Sequence, residues 1–210
     1  MSWPVDEVKL NRVRALMKDQ GVTALVVRAP DNLVYLTNYW CMKGYDVAIF
    51  PREGEPTLIA LEPQLADAER NSWTNDIRLF KSYHETDPRP PQYRALDLAL
   101  KVLKERGLTD KVAVELNMGT QSADRMVGEP TTPTQMYFDA FGEVAGQVVD
   151  STLLLNDARA IKTPQEIERM RLANELAEFV EFVLLQIRSS TDSFHPSEFY
   201  HVRLACDSRG

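Results

Sequence analysis

The residues best equipped for chemistry stand near the end of the chain, in HPSEFYH: His195, Glu198 and His201. Two imidazoles and a carboxylate are a ligand set for zinc. The helical zinc motif spaces its histidines four apart, so that both leave one face of the helix. Here the spacing is six, which turns the two side chains about 240° from one another on a helix. Pro196 also suits a helix start better than the middle of a rigid platform. The pattern points to a solvated polar segment rather than a metal site. The remaining histidine, His84 in SYHE, stands alone and suits a surface loop.

Other catalytic signatures are missing. No GxSxG elbow, Walker loop or GxGxxG turn occurs. Cys41 has no base beside it and is expected to be a packed thiol. Glu166, Glu168, Glu175, Glu178 and Glu181 share one stretch near the end, but their spacing spreads them around a helix as a solvated face. Neither a catalytic nor a metal-ligating set is expected in this chain.

Composition limits the partners. The 24 basic and 31 acidic residues give a net charge of −7, and no lysine or arginine cluster stands out. Nucleic acid and anionic membrane surfaces are therefore not expected partners. Cys41 and Cys206 are far apart and form no CxxC pair, which suits reduced thiols in the cytoplasm. The opening MSWPVDEVKL lacks an apolar signal core. No apolar run approaches the ~20 residues that span a bilayer. The expectation is a soluble, cytoplasmic protein.

Periodicity supplies the scaffold. Leu10, Val13, Leu16 and Met17 recur at helical spacing between about Val5 and Gln20, and Gly21 supplies the stop. Thr23 to Ala29 (TALVVRA) suits a strand covered on both faces. Pro30-Asp31-Asn32 opens a short helix or turn carrying Leu33, Tyr35 and Leu36. Asp46–Phe50 and Thr57–Leu61 read as a hairpin around PREGEP. A helix at PQLADAERNS precedes a strand at Asp76–Phe80 and a proline-rich surface loop at Thr86–Pro91. Arg94–Arg106 is a helix with a stripe of Ala95, Leu98, Ala99, Val102 and Leu103, ended by Gly107. A strand at Lys111–Leu116, a helix near Thr134–Phe141 and a last strand at Val148–Leu154 follow. The alternation predicts an α/β domain, a mixed β-sheet flanked by helices, followed by a long C-terminal linker helix.

That last helix begins at Thr163-Pro164-Gln165-Glu166, a capping box with proline at the first helical position. Ile167, Met170, Ala173, Ala177, Val180, Leu184 and Ile187 then step by three or four in one apolar stripe. The stripe needs a partner. It either packs back on the α/β domain or opens a second domain. From Thr163 only 48 residues remain, against the ~50 or more that a domain with its own core requires.

Two stretches resemble the creatinase/prolidase/aminopeptidase P group, the pita-bread metallohydrolases. One is Gly21-Val22-Thr23-Ala24-Leu25-Val26-Val27 with Asn32-Leu33-Val34-Tyr35-Leu36-Thr37-Asn38. The other is Asp150 with Arg159-Ala160-Ile161-Lys162-Thr163 through Ala173, which is similar to the family's domain junction. Asn38 stands where the family carries glycine, and asparagine is the side chain that best tolerates a left-handed backbone. The resemblance implies that residues 1–158 are the family's N-terminal α/β domain. Residues 159–210 would be a linker, a truncated first helix of the catalytic domain, and a polar tail. In the family, two divalent metals such as manganese lie in that catalytic domain, on two aspartates, a histidine and two glutamates. None of those motifs can be placed here, so the implied role is dimerisation and active-site shaping, in a homodimer or on a full-length relative. A stand-alone module that docks on such a relative is the alternative. The loop after the YLTN turn can reach a neighbouring active site in family members, and position nominates Trp40, Lys43 and Tyr45 as shaping its selectivity.

Overall fold

The computed structural model describes residues 3–41, 45–115 and 134–189. The chain divides into two units between Ile161 and Lys162. In the first, helix α1 (Glu7–Asp19) leads to strand β1 (Ala24–Val27), helix α2 (Pro30–Thr37) and the hairpin β2 (Val47–Pro51) and β3 (Thr57–Leu61). A 3₁₀ turn at Glu62–Gln64 runs into α3 (Leu65–Asn71), then β4 (Asp76–Phe80), α4 (Pro91–Glu105) and β5 (Lys111–Val114). The unit ends with α5 (Thr134–Gly142), β6 (Gln147–Asp150) and α6 (Thr152–Ala160).

Among the described residues, the strands form one mixed sheet in the order β4-β3-β2-β1-β5-β6. β2 runs antiparallel to both its neighbours, while β1–β5, β5–β6 and β3–β4 are parallel. β1 lies in the middle and is buried along its whole length. That is why ALVV is apolar without alternation: each side chain meets a helix layer whichever way it points. Leu25 and Val27 face α1, α2, α3 and α6 through Leu10, Met17, Leu33, Ala68 and Leu155. Ala24 and Val26 face α4 and α5 through Ala99, Leu103, Tyr137 and Phe141.

Helices α1 and α4 stop in the same way. Gly21 and Gly107 have φ of 68° and 64°, in the left-handed region that glycine enters at least cost. Behind each, the next amide reaches back: Val22 to the Met17 carbonyl at 2.8 Å, and Leu108 to the Leu103 carbonyl at 2.9 Å. These are Schellman closures, and they turn the chain straight into β1 and β5. The third left-handed residue is Asn38, φ 60°, at the end of α2. Its amide caps the Val34 carbonyl at 2.9 Å, so asparagine makes the left-handed turn that ends the helix.

One expected element is different. The strand expected over Val148–Leu154 is short, Gln147–Asp150, and the leucines after it belong to helix α6. Asp150 Oδ1 accepts from the Thr152 amide at 3.1 Å and hydroxyl at 2.7 Å, which turns the backbone out of the sheet. Leu154, Leu155 and Ala158 are then buried at helical spacing, while Leu153 points outward. A run of three leucines does not reveal its period, and the aspartate is the signal that decides it.

In the second unit, helix α7 (Pro164–Ser189) carries the expected capping box. The Glu166 amide donates to Thr163 Oγ1 at 3.1 Å, and the Thr163 amide donates to Glu166 Oε2 at 2.8 Å. Of its predicted stripe, Ile167 and Met170 are 57% and 54% exposed, while Val180 is half-buried; Phe182, outside the stripe, is 59% exposed. Among the described residues, no helix is long and apolar enough to cross a membrane.

Candidate functional site

The nominated loop leaves α2 at Asn38 and enters β2 at Val47. Its two ends are tied together beneath it. The Tyr39 hydroxyl lies 3.0 Å from Asp46 Oδ2 and 2.8 Å from Gln64 Oε1. Asp46 Oδ1 accepts from the Leu61 amide at 2.9 Å. All three side chains are buried. Burial pushes the Asp46 carboxyl up to about 6, against the hydrogen bonds from Tyr39 and Leu61 that favour its charged form. Burial, reinforced by the charge of Asp46, likewise raises the Tyr39 phenol. A single hydroxyl hydrogen cannot serve two acceptors. The set is completed by a proton on Asp46 or by turning the Gln64 amide.

On this base, Trp40 is 48% exposed, Cys41 is buried and Tyr45 is half-buried. The structure therefore gives two of the nominated residues different surroundings: Trp40 faces solvent, whereas Tyr45 packs against the core layer on the α4/α5 side. Lys43 lies outside the described residues, as do His195, Glu198, His201 and Cys206. Cys41 is a packed thiol, as expected, and His84 is an exposed loop residue. Among the described residues, no group of three or more His, Cys, Asp or Glu side chains stands together as a metal-holding set.

Sequence reasoning passed over the strand ends beside this loop. After β1 the chain turns into α2, on one face of the sheet, while α5, which follows β5, packs on the other. The C-terminal ends of the parallel pair β1 and β5 thus form a topological switch point, where α/β sheets bind ligands. Two charged residues sit there, Arg28 and Glu115, 2% and 3% exposed. Glu115 Oε2 accepts from the amides of Arg28 (2.6 Å) and Ala29 (3.0 Å), and Oε1 accepts from the Asn32 side chain. The carboxylate thereby caps the start of α2, a helix whose N-cap residue Ala29 has no side chain to do so. Asn32 Oδ1 in turn accepts from Arg159 Nη1 at 3.0 Å, tying α2 to the end of α6. The Tyr35 hydroxyl donates to the Ala158 carbonyl at 2.9 Å beside it.

Arg28 points the other way. Its guanidinium carbon lies 3.7 Å from the centroid of the Tyr137 ring. The Tyr137 hydroxyl oxygen accepts from the guanidinium. The only sequence signal for either residue was a charge at the end of an apolar strand, in TALVVRA and KVAVEL. That signal marks a strand terminus as readily as a buried charge.

With this geometry in hand, the likeness to known proteins is specific. The creatinase/prolidase N-terminal domain family model matches residues 9–161. The chain is 27% identical over 187 residues to an ectoine hydrolase from Halomonas elongata, covering 85% of this chain and 43% of that protein. Among solved structures, an Xaa-Pro dipeptidase from Bacillus anthracis aligns with a TM-score of 0.58 at 19% identity, over 86% of this chain and 43% of its own. A prolidase from Thermococcus sibiricus aligns with a TM-score of 0.60 at 17% identity, over 91% and 46%. The chain spans less than half the length of each of these relatives. The two structural likenesses establish the fold, and the family match over most of the chain establishes descent: this protein belongs to the creatinase/prolidase N-terminal domain family.

Proposed function

We propose that residues 1–158 are the non-catalytic N-terminal domain of a cytoplasmic, metal-dependent hydrolase of the Xaa-Pro peptidase or creatinase kind. Residues 159–210 then lead into its catalytic domain. The domain pairs subunits and shapes a neighbouring active site through the loop that carries Trp40, Lys43 and Tyr45. The observation that carries this reading is the family match over residues 9–161. The loop geometry supports it: a buried Tyr39–Asp46–Gln64 base holds both ends still while Trp40 stands out into solvent. A loop that contacts substrate across an interface needs both properties.

Two measurements test this. The mass of the purified chain in solution distinguishes a dimer, which supports the pairing role, from a monomer, which contradicts it. In the enzyme that carries the domain, Trp40→Ala is expected to raise KM or shift substrate preference while leaving metal content unchanged. An unaltered substrate profile would remove the shaping role.

A second reading is a stand-alone module that docks on a full-length relative. The exposed Ile167, Met170 and Phe182 favour it, since an uncovered apolar helix face suits an interface. Mixing the chain with a full-length relative should then change that enzyme's elution or activity, and no change would count against docking.

A further inference from the structure

The chain passes from β2 to β3 through Arg52-Glu53-Gly54-Glu55-Pro56, a turn that lies beside the second half of α1. Between the two is an open cleft of about 410 Å³, lined by Arg14, Ala15 and Lys18 of α1 and by Arg52 and Glu53 of the turn. Its walls are held in place. Arg14 Nη2 donates to the Gly54 carbonyl at 3.2 Å and Nη1 to Asn11 Oδ1 at 3.4 Å, and its guanidinium carbon lies 5.1 Å from the centroid of the Phe50 ring. Arg106, at the end of α4, donates to the Glu55 carbonyl at 2.8 Å and to Thr57 Oγ1 at 2.7 Å. The Arg52 amide donates to the Thr23 carbonyl at 2.9 Å. The turn is thus fixed to α1, to the start of β1 and to the end of α4, so little ordering remains to oppose a ligand.

The charge of the cleft is not balanced. Arg14 and Lys18 are one helical turn apart and share a face of α1, and Arg52 faces them across the cleft. Among the described residues, the side chains of Lys18 and Arg52 enter no hydrogen bond or ion pair. The Glu55 carboxylate is engaged elsewhere, by the Thr74 hydroxyl at 3.0 Å and the Asn75 amide. Glu53 therefore stands against three cations, in a chain whose net charge is −7. Lys18 taken alone suits the last turn of α1, where a cation complements the helix dipole. Arg52 belongs to the turn and has no such reason to be there.

We propose that this cleft binds a small phosphate monoester whose organic part carries hydroxyl groups, as a sugar phosphate does. A phosphate group near neutral pH carries up to two negative charges on three strong acceptor oxygens, which matches three cations on two elements. A carboxylate offers one charge and one planar edge, and would leave a cation unanswered. The volume falls within the range of small-molecule sites and exceeds what a bare phosphate fills. Glu53 is an acceptor only: it receives a hydroxyl of the organic part and repels a second phosphate. The cleft lies at the opposite end of β2 from the Trp40 loop, so binding here does not depend on the role of that loop.

The test is titration calorimetry on the full 210-residue chain at fixed ionic strength, with glucose 6-phosphate, inorganic phosphate and glucose as probes. Glucose 6-phosphate is expected to bind at one site per chain, about tenfold more tightly than inorganic phosphate, and glucose not at all. Lys18→Gln and Arg52→Gln are each expected to weaken the ester about tenfold. Both should leave the unfolding midpoint without ligand unchanged, because these side chains hold nothing in the fold. Glu53→Gln should tighten inorganic phosphate and narrow its gap to the ester. The proposal is overturned if the ester shows no saturable binding up to about 10 mM. It is equally overturned if neither Lys18→Gln nor Arg52→Gln weakens binding, since the ligand would then sit elsewhere. Equal affinity for the ester and inorganic phosphate would mean an adventitious ion only, and would also overturn it.

Discussion

The Tyr39 hydroxyl stands 3.0 Å from Asp46 Oδ2, and this contact closes the base of a loop whose ends are seven residues apart. It couples the loop to pH. The folded-state value of Asp46, about 6, is raised above the 3.8 of an unperturbed aspartate. A raised value means that the folded state holds its proton more tightly. The associated stability is fully present below about pH 4 and is lost as pH rises through 6. Two units correspond to about 3 kcal/mol. Asp46→Asn keeps an acceptor for the Leu61 amide and cannot ionise. Urea unfolding at pH 4.5 and 8 should therefore show the variant gaining on the wild type by about 2 kcal/mol as pH rises, since part of the effect is already lost at pH 4.5. A constant difference between them would show that Asp46 does not titrate in this range.

Glu115 gives a prediction of opposite sign. It is the acceptor for two backbone amides and the Asn32 side chain at the start of α2. Glu115→Ala leaves those donors buried and unpaired, at a cost of about 3 kcal/mol or more. Glu115→Gln retains one acceptor oxygen and should lose less. Equal losses for the two variants, measured by chemical denaturation, would mean that size rather than hydrogen bonding matters here.

Gly21 and Gly107 isolate a backbone effect. A Cβ added at either position meets nothing within 4 Å, yet both have positive φ. Alanine there should cost about 1 kcal/mol from conformation alone. The two losses should add in the double variant, because the sites end different helices. A loss well above that at either position would point to a steric cause.

Polar replacements on α7 should behave differently from those in the core. Ile167→Gln and Met170→Gln change side chains that are more than half exposed, so the unfolding free energy should change by no more than about 0.5 kcal/mol. Leu25→Ala, in the fully buried β1, should cost about 2–5 kcal/mol. Comparable losses at the two kinds of site would contradict the burial pattern.

The parts legible in the sequence are those with local causes. Gly21 and Gly107 mark helix ends because only backbone freedom is required there. The all-apolar ALVV identifies the central strand because both its faces are covered. Asn38, whose left-handed backbone the family resemblance implied, has φ of 60°. What the sequence concealed depends on partners distant in the chain. Gln64 meets Tyr39 only after the β2–β3 hairpin folds back. Arg28 and Glu115 become neighbours only because β1 and β5, more than eighty residues apart, pair in parallel. Helix α6 was hidden for a different reason: the three leucines after Thr152 fit a strand as well as a helix until Asp150 turns the chain.

We propose that this chain, a member of the creatinase/prolidase N-terminal domain family, does not itself carry out hydrolysis. The most direct measurement is turnover of Xaa-Pro dipeptides and of ectoine by the purified 210-residue chain in manganese-containing buffer, beside the same buffer without protein. The account predicts identical rates in both. Turnover that scales with protein and disappears with a chelator would place a working metal centre in these residues, and would contradict it.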